Sequence, residues 1–318
     1  MKEMAQGTSL SPKKRAVNWS ARKVRDNLEL YSILAPVIVL IFIFAYIPLY
    51  GIVIAFQDYF PGMPFIGEGV EWVGLKHFKA FVTSFYFGRI LKNTIVLSLM
   101  HLCFGFWIPI FFALLLNEMD NARLKKVIQT VSYMPHFVSS VVVAGMVVSF
   151  IAPDGIVVMI AESLGIQVRA LNTSQKAFPW IYTITNVWKS FGWSSILYLS
   201  SISSIDPTLY EAADIDGASR IQRMIHITVP FMVPLIMIQL IFAVSGLLNS
   251  NTEMILLLYN PSVYATADVI GTYVYREGLV GGRFSYGSAV GLMMSVIGYL
   301  LVYVANAISR KLTDYSLW

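Results

Sequence analysis

Glu211-Ala212-Ala213-Asp214-Ile215-Asp216-Gly217-Ala218-Ser219-Arg220-Ile221-Gln222-Arg223-Met224-Ile225-His226-Ile227-Thr228-Val229-Pro230 is a short polar segment set between two hydrophobic stretches, near 178-203 and 231-257. Each flanking stretch has the roughly 20 residues needed to cross a hydrocarbon core. The segment between them therefore reads as an elbow projecting from a membrane. Composition agrees: 57% of the 318 residues are hydrophobic and only 13% charged, and the mean hydropathy is +0.66. Such a chain is too apolar for an ordinary soluble domain.

Six spans are expected, near 30-56, 91-117, 127-151, 178-203, 231-257 and 286-308. Backbone groups in lipid find no water to bond with, so each span must be helical and the fold class is all-α, polytopic. Thr183, Thr185, Asn186, Lys189, Ser190 and Ser194 dilute the fourth span, which cannot face lipid all round. With the N-terminus inside, the inner segments hold fourteen Lys and Arg and the outer segments eight. That bias places both termini in the cytoplasm. The chain then divides into a basic cytoplasmic tail (1-29), a six-span domain (30-308) containing a cytoplasmic loop (204-230), and a C-terminal tail (309-318). The basic tail reads as an orientation signal resting on anionic lipid, rather than a nucleic-acid site. It is not a cleaved signal peptide, because its apolar stretch is too long and no small-residue cleavage site follows.

Local chemistry shapes the 204-230 loop. Asp206 is a helix cap with Pro207 at the first helical position, a helix follows over Thr208 to Asp216, and Gly217 can end it at positive φ. A second helical stretch runs from Ala218 towards Val229, with Pro230 and Pro234 near the start of the fifth span, where proline costs least. Ala212 and Ala213 allow a close partner, Glu211 offers a carboxylate to a basic group, and Gly217 permits the bend.

The spacing of Glu211, Ala212, Ala213, Gly217, Ile227 and Pro230 resembles the E-A-A loop of ATP-binding-cassette (ABC) importer permeases, with Val229 replacing the usual leucine. The runs Tyr259-Asn260-Pro261-Ser262-Val263-Tyr264, Ala267-Asp268-Val269-Ile270, Thr272-Tyr273-Val274-Tyr275-Arg276, Gly192-Trp193-Ser194-Ser195-Ile196 and the ending Leu317-Trp318 resemble the LplB/YteP-type permeases among the MalF-like oligosaccharide importers. The resemblance implies a MalF/MetI-like permease fold in a bacterial plasma membrane. It also implies oligosaccharide transport, in several relatives of acidic or pectin-derived sugars. Implied partners are a second homologous permease subunit, two ATPase subunits and an extracellular solute-binding lipoprotein. In such a loop Glu211, Ala212, Ala213, Asp216, Gly217, Ile227 and Pro230 couple the ATPases to the membrane helices, and the position of Glu211 pairs with a basic residue of the ATPase.

The chain carries no G-x-x-x-x-G-K-[ST] phosphate loop, so ATP must be used by partner subunits and no cofactor is expected here. It also lacks H-E-x-x-H and G-x-S-x-G, which argues against an enzyme. His77, His101, His136 and His226 are scattered without metal-ligand spacing, and Cys103 reads as a small packing residue.

A sugar conduit needs polar groups inside the bundle to replace lost hydration. Candidates are Asn186, Lys189, Ser190 and Ser194 in the fourth span and Ser245, Asn249, Ser250, Asn251 and Glu253 in the fifth. The competing reading of the Ser and Asn residues is interhelical bonding. Trp188, Phe191, Trp193 and Tyr198 offer faces for sugar rings or an interfacial belt. Lys189 either attracts a substrate carboxylate or pairs with Glu253. Gly287, Gly291 and Ser295, at four-residue spacing, mark a helix-packing face. The outer loops 57-87 and 258-285 are docking surfaces for a binding protein or plain caps. Two rival classes remain at this level: an ATP-independent carrier or channel, and a membrane sensor that accumulates no sugar.

Overall fold

The computed structural model describes residues 21–166 and 171–312; most of the basic tail and residues 313–318 lie outside the described residues. Among the described residues the protein is helical throughout, and its sole β feature is one isolated antiparallel bridge between Gln57 and Trp72. It divides into two units, Met1–Ile52 and Val53–Trp318. The first is a helix, Ala21–Ile41, continued through a π-helical turn over Phe42–Tyr46.

Among the described residues, four helical runs are long and apolar enough to span a membrane: Leu30–Phe56, Phe87–Asn117, Arg220–Leu248 and Phe284–Lys311. A fifth passage consists of two helices, Ala122–Phe137 and Ser140–Phe150, bent by 98° at their junction. Pro135 precedes the bend, and the Ser139 side chain restarts the second helix by accepting a hydrogen bond from Val142 N–H. The expected span near 178-203 is an unbroken helix, Phe178–Ile202, but it does not meet the same apolar criterion. Its polar residues are turned inward: Thr183, Thr185, Asn186 and Ser195 are buried. The six apolar stretches thus become four simple spans, one bent pair and one polar helix packed among its neighbours.

Three π-helical turns share one cause. A proline lacks an N–H and its ring collides with the carbonyl four residues earlier. For Pro48, Pro109 and Pro230 that carbonyl belongs to Phe44, Gly105 and His226, which lie in the π-helical turns Phe42–Tyr46, Leu102–Phe106 and Met224–Thr228. The widened turn relieves the collision and keeps the helix continuous. Pro230 is consequently not at the beginning of its span, as the sequence suggests, but ten residues into the run that starts at Arg220.

Among its described residues the second unit holds three buried clusters. Phe106, Ile110, Ala113 and Leu114 pack with Tyr198, Ile202, Ile205 and Met232. Val143, Ala144, Phe178 and Tyr182 pack with Met254, Ile255 and Leu258. Phe81 and Ile90 pack with Ile270, Tyr273, Tyr286 and Val290. Lipid tails are as apolar as these side chains, so shape fit and polar contacts hold such clusters together more than burial does. Large apolar residues such as Phe111, Leu115, Leu300 and Tyr303 stay exposed, as a lipid-facing surface requires.

Candidate functional site: an elbow and a polar cavity

The elbow is built by three local devices. Asp206 caps the helix Pro207–Ile215, its carboxylate accepting from Thr208 N–H at 2.9 Å. That hydrogen bond holds the Asp206 carboxyl below its ordinary pKa of 3.8. Gly217, at φ 73°, ends the helix. Ala218 N–H bonds to Ala213 O at 2.9 Å and Gly217 N–H to Asp214 O at 3.1 Å, the pair of bonds that closes a helix through a left-handed residue. Ser219 then caps the next helix, and Gln222 reciprocates by accepting from Ser219 N–H at 2.7 Å.

Further contacts fix the elbow to the spans. Tyr210 OH lies 2.9 Å from Oγ1 of Thr228, which is fully buried in the π-helical turn before Pro230. Arg223 pairs with Asp214 across the turn. Arg220 reaches the end of the Phe87–Asn117 run, donating to Asp120 at 2.6 Å and to Glu118 O at 3.1 Å.

Glu211, Ala212, Asp216 and Gly217 are exposed on this elbow and Ala213 is half-buried. Ile227 packs inward against the cluster around Phe106 and Met232, and Pro230 is exposed. The apolar Ile215, 87% exposed, and Ile221, 64% exposed, stand beside the glycine turn.

The second feature is a cavity of about 770 Å³ between the spans. The expected fifth span is interrupted beside it: the helix ends at Leu248 and resumes at Thr252, leaving Asn249, Ser250 and Asn251 as non-helical backbone on the cavity wall. Irregular backbone at this depth is tolerated only where it lines a cavity or is buried in protein. Asn251 restarts the helix, its Oδ1 accepting from Met254 N–H at 3.1 Å. Its Nδ2 donates to Asn186 Oδ1 at 2.9 Å, and its N–H bonds to Tyr182 OH at 3.0 Å.

Asn186, Lys189, Ser190, Asn249 and Asn251 line the cavity, as do Ser194, Trp193 and Tyr198. Ser245 and Glu253 do not. Ser245 donates back to Phe242 O, and Glu253 sits exposed in the first turn of the resumed helix. Lys189 donates to His136 O at 3.4 Å, and no carboxylate lies within ion-pair distance of it among the described residues, so the Lys189–Glu253 pair is not formed. Sequence reasoning missed Ser98, His101, His136 and Gln239 on the same wall. Ser98, His101 and Gln239 could have been found as polar groups in apolar helices, whereas His136 sits in a helix already rich in polar residues and carries no such signal.

Among the packing candidates, Gly287 meets Gly278 so closely that an added Cβ would lie 2.8 Å from its Cα, whereas Gly291 faces open space. Ser295 donates to Gly291 O within its own helix at 3.0 Å. Among the described residues no group of three or more His, Cys, Asp or Glu has metal-binding geometry.

The family described as binding-protein-dependent transport system inner membrane component matches residues 105–314. The polygalacturonan/rhamnogalacturonan transport system permease protein YteP of Bacillus subtilis is 39% identical over 299 residues, 93% of this chain and 92% of that protein. Protein LplB of the same organism is 39% identical over 306 residues, 96% of this chain and 95% of that protein. A chain from the crystal structure of a bacterial alginate ABC transporter, in complex with an alginate pentasaccharide-bound periplasmic protein, superposes with a TM-score of 0.84. It is 39% identical, and the match covers 93% of this chain and 99% of that one.

Proposed function

The chain belongs to the inner-membrane component family of binding-protein-dependent transport systems, and from that membership we propose that it forms part of the sugar pathway of an ABC importer for acidic oligosaccharides. The observation that carries this reading is the polar cavity at the interrupted helix, in a fold whose relatives serve polygalacturonan, rhamnogalacturonan and alginate. Hydroxyl groups leaving water find replacement partners in Asn186, Ser190, Asn249 and Asn251.

The elbow is the input for energy. Glu211, Ala212, Ala213, Asp216 and Gly217 present a docking face to an ATPase subunit, while Ile227 and Pro230 carry its displacement into the Arg220–Leu248 run. Support for a mechanical role comes from the Tyr210–Thr228 and Arg220–Asp120 contacts, which tie one elbow to two spans. The working unit is this chain, a second homologous permease, two ATPase subunits and an extracellular binding lipoprotein, with both termini of this chain in the cytoplasm. ATP is bound and hydrolysed by the partners.

Reconstitution of the complex in proteoliposomes tests the proposal. Uptake of oligogalacturonide should require ATP inside, on the elbow side, and binding protein outside. Uptake that persists without ATP and follows an ion gradient would establish the carrier reading instead.

A further inference from the structure

Resting on that reading, we infer that Lys189 is the specificity-determining group of the cavity, pairing with a sugar carboxylate and so selecting uronic over neutral oligosaccharides. A cation inside a membrane-spanning bundle is costly unless it is paired or faces a wet cavity. Lys189 has no ion-pair partner among the described residues, and its one hydrogen bond, to His136 O, is long at 3.4 Å. Its wall holds no compensating charge: among the described residues no aspartate or glutamate lines the cavity. The cavity therefore carries a net positive potential that an anionic ligand neutralises and a neutral one leaves unmet.

The placement suits a sugar acid. Asn186, Lys189, Ser190 and Trp193 follow at the three- and four-residue intervals of one helix face and all line the cavity. Trp193 stacks flat on His136, with centroids 4.6 Å apart and planes 1° from parallel. The ammonium thus stands beside an aromatic pair for the ring face and amide groups for the hydroxyls. A charge-assisted hydrogen bond also fixes which end of a sugar ring meets the helix.

The rival explanation is that Lys189 only secures the helix end at His136, where Ala122–Phe137 stops before the 98° bend. The two roles differ in what they do to uncharged substrate. ATP-driven uptake of trigalacturonate and of its fully methyl-esterified, neutral form is measured in proteoliposomes holding the whole complex. Each variant is referred to wild type separately for each probe, so that delivery by the binding protein cancels. Lys189→Gln and Lys189→Met should lower acid uptake about 10- to 100-fold, the range spanned by a hydrogen bond to a charged group, and leave the neutral probe within about twofold. Lys189→Arg should retain most acid uptake.

Equal loss of both probes, or no loss of either, overturns the inference. So does failure of both neutral variants to assemble, which makes Lys189 structural. Wild-type complex that carries neither probe defeats the importer reading itself, a result separable from any variant ratio.

Discussion

A Cβ added to Gly192 would lie 2.1 Å from the carbonyl oxygen of Ser132. The Phe178–Ile202 and Ala122–Phe137 helices touch here backbone to backbone, and together they form the wall that carries Lys189 and His136. Gly192→Ala must push these helices apart, because a backbone carbonyl cannot swing away as a flexible side chain can. The expected cost is about 1–3 kcal/mol or more, seen as a lower Tm of detergent-solubilised protein. Gly145→Ala, where an added Cβ meets nothing within 4 Å, should be neutral or stabilising by up to about 1 kcal/mol. Equal Tm values for the two variants would show that the close crossing is not there.

Gly217 calls for a graded test. Its φ of 73° is left-handed, a conformation that costs an ordinary residue about 1–2 kcal/mol and that Asn and Asp tolerate better. Because an added Cβ meets no atom there, the penalty is conformational rather than steric crowding. ATP-dependent uptake should fall in the order Gly, Asn, Ala, Val at this position, with the amount of membrane-inserted protein unchanged. Uptake by Gly217→Val at the wild-type rate would remove the turn from the coupling mechanism. Gly217→Asp separates two effects: if charge on the docking face matters beyond conformation, it should transport less than Gly217→Asn.

The elbow was legible in the sequence because each of its devices is local. Asp206 before Pro207 and Gly217 after a helical run each act within a few positions and bound the first helix; the second, expected from Ala218, begins at Arg220 instead, because Ser219 caps it together with Gln222. The cavity is a tertiary feature and was legible only in part. Asn186, Lys189 and Ser190 stand out as polar residues in an apolar context, but Ser245 and Glu253 stand out equally and lie off the wall. What separates them is the interruption at Asn249–Asn251, which a hydropathy pattern reads as an unbroken span. The bend after Phe137 is hidden for the same reason, since Pro135 alone does not distinguish a kink from a 98° turn. The π-helical turns before Pro109 and Pro230 are invisible to periodicity, although each proline fixes where one is needed.

The cap at Asp206 gives a pH signature. Its folded-state pKa is depressed, first by the hydrogen bond from Thr208 N–H. A depressed acid stabilises the folded state above its unfolded pKa, and that contribution disappears as pH falls through the lower folded value. The Thr208 amide should therefore stay protected from hydrogen exchange down to about the ordinary 3.8 and lose protection below it. Asp206→Asn, which caps a helix equally well without titrating, should abolish the pH dependence and keep the protection. An unchanged acid profile in Asp206→Asn would assign the titration elsewhere.

Asp268 is fully buried, and its carboxylate is held by three donors: the two terminal guanidinium nitrogens of Arg276, Nη1 at 3.0 Å and Nη2 at 2.8 Å, and Thr272 Oγ1 at 2.8 Å. Its backbone oxygen accepts from Asn93 Nδ2 at 3.0 Å, so one residue joins the 258-285 segment to the Phe87–Asn117 run. Removing one partner of such a pair strands the other charge, and the cost is typically about 3–5 kcal/mol. Asp268→Ala and Arg276→Ala should each lower stability by that order, the former somewhat less because the Arg276 side chain it strands keeps 30% of its surface in contact with solvent, whereas Arg276→Ala strands a fully buried carboxylate. The double variant leaves neither charge stranded, so its loss should be clearly smaller than the two single losses together. Chemical denaturation of all four proteins closes the cycle. Strictly additive losses would mean that the pair is not coupled.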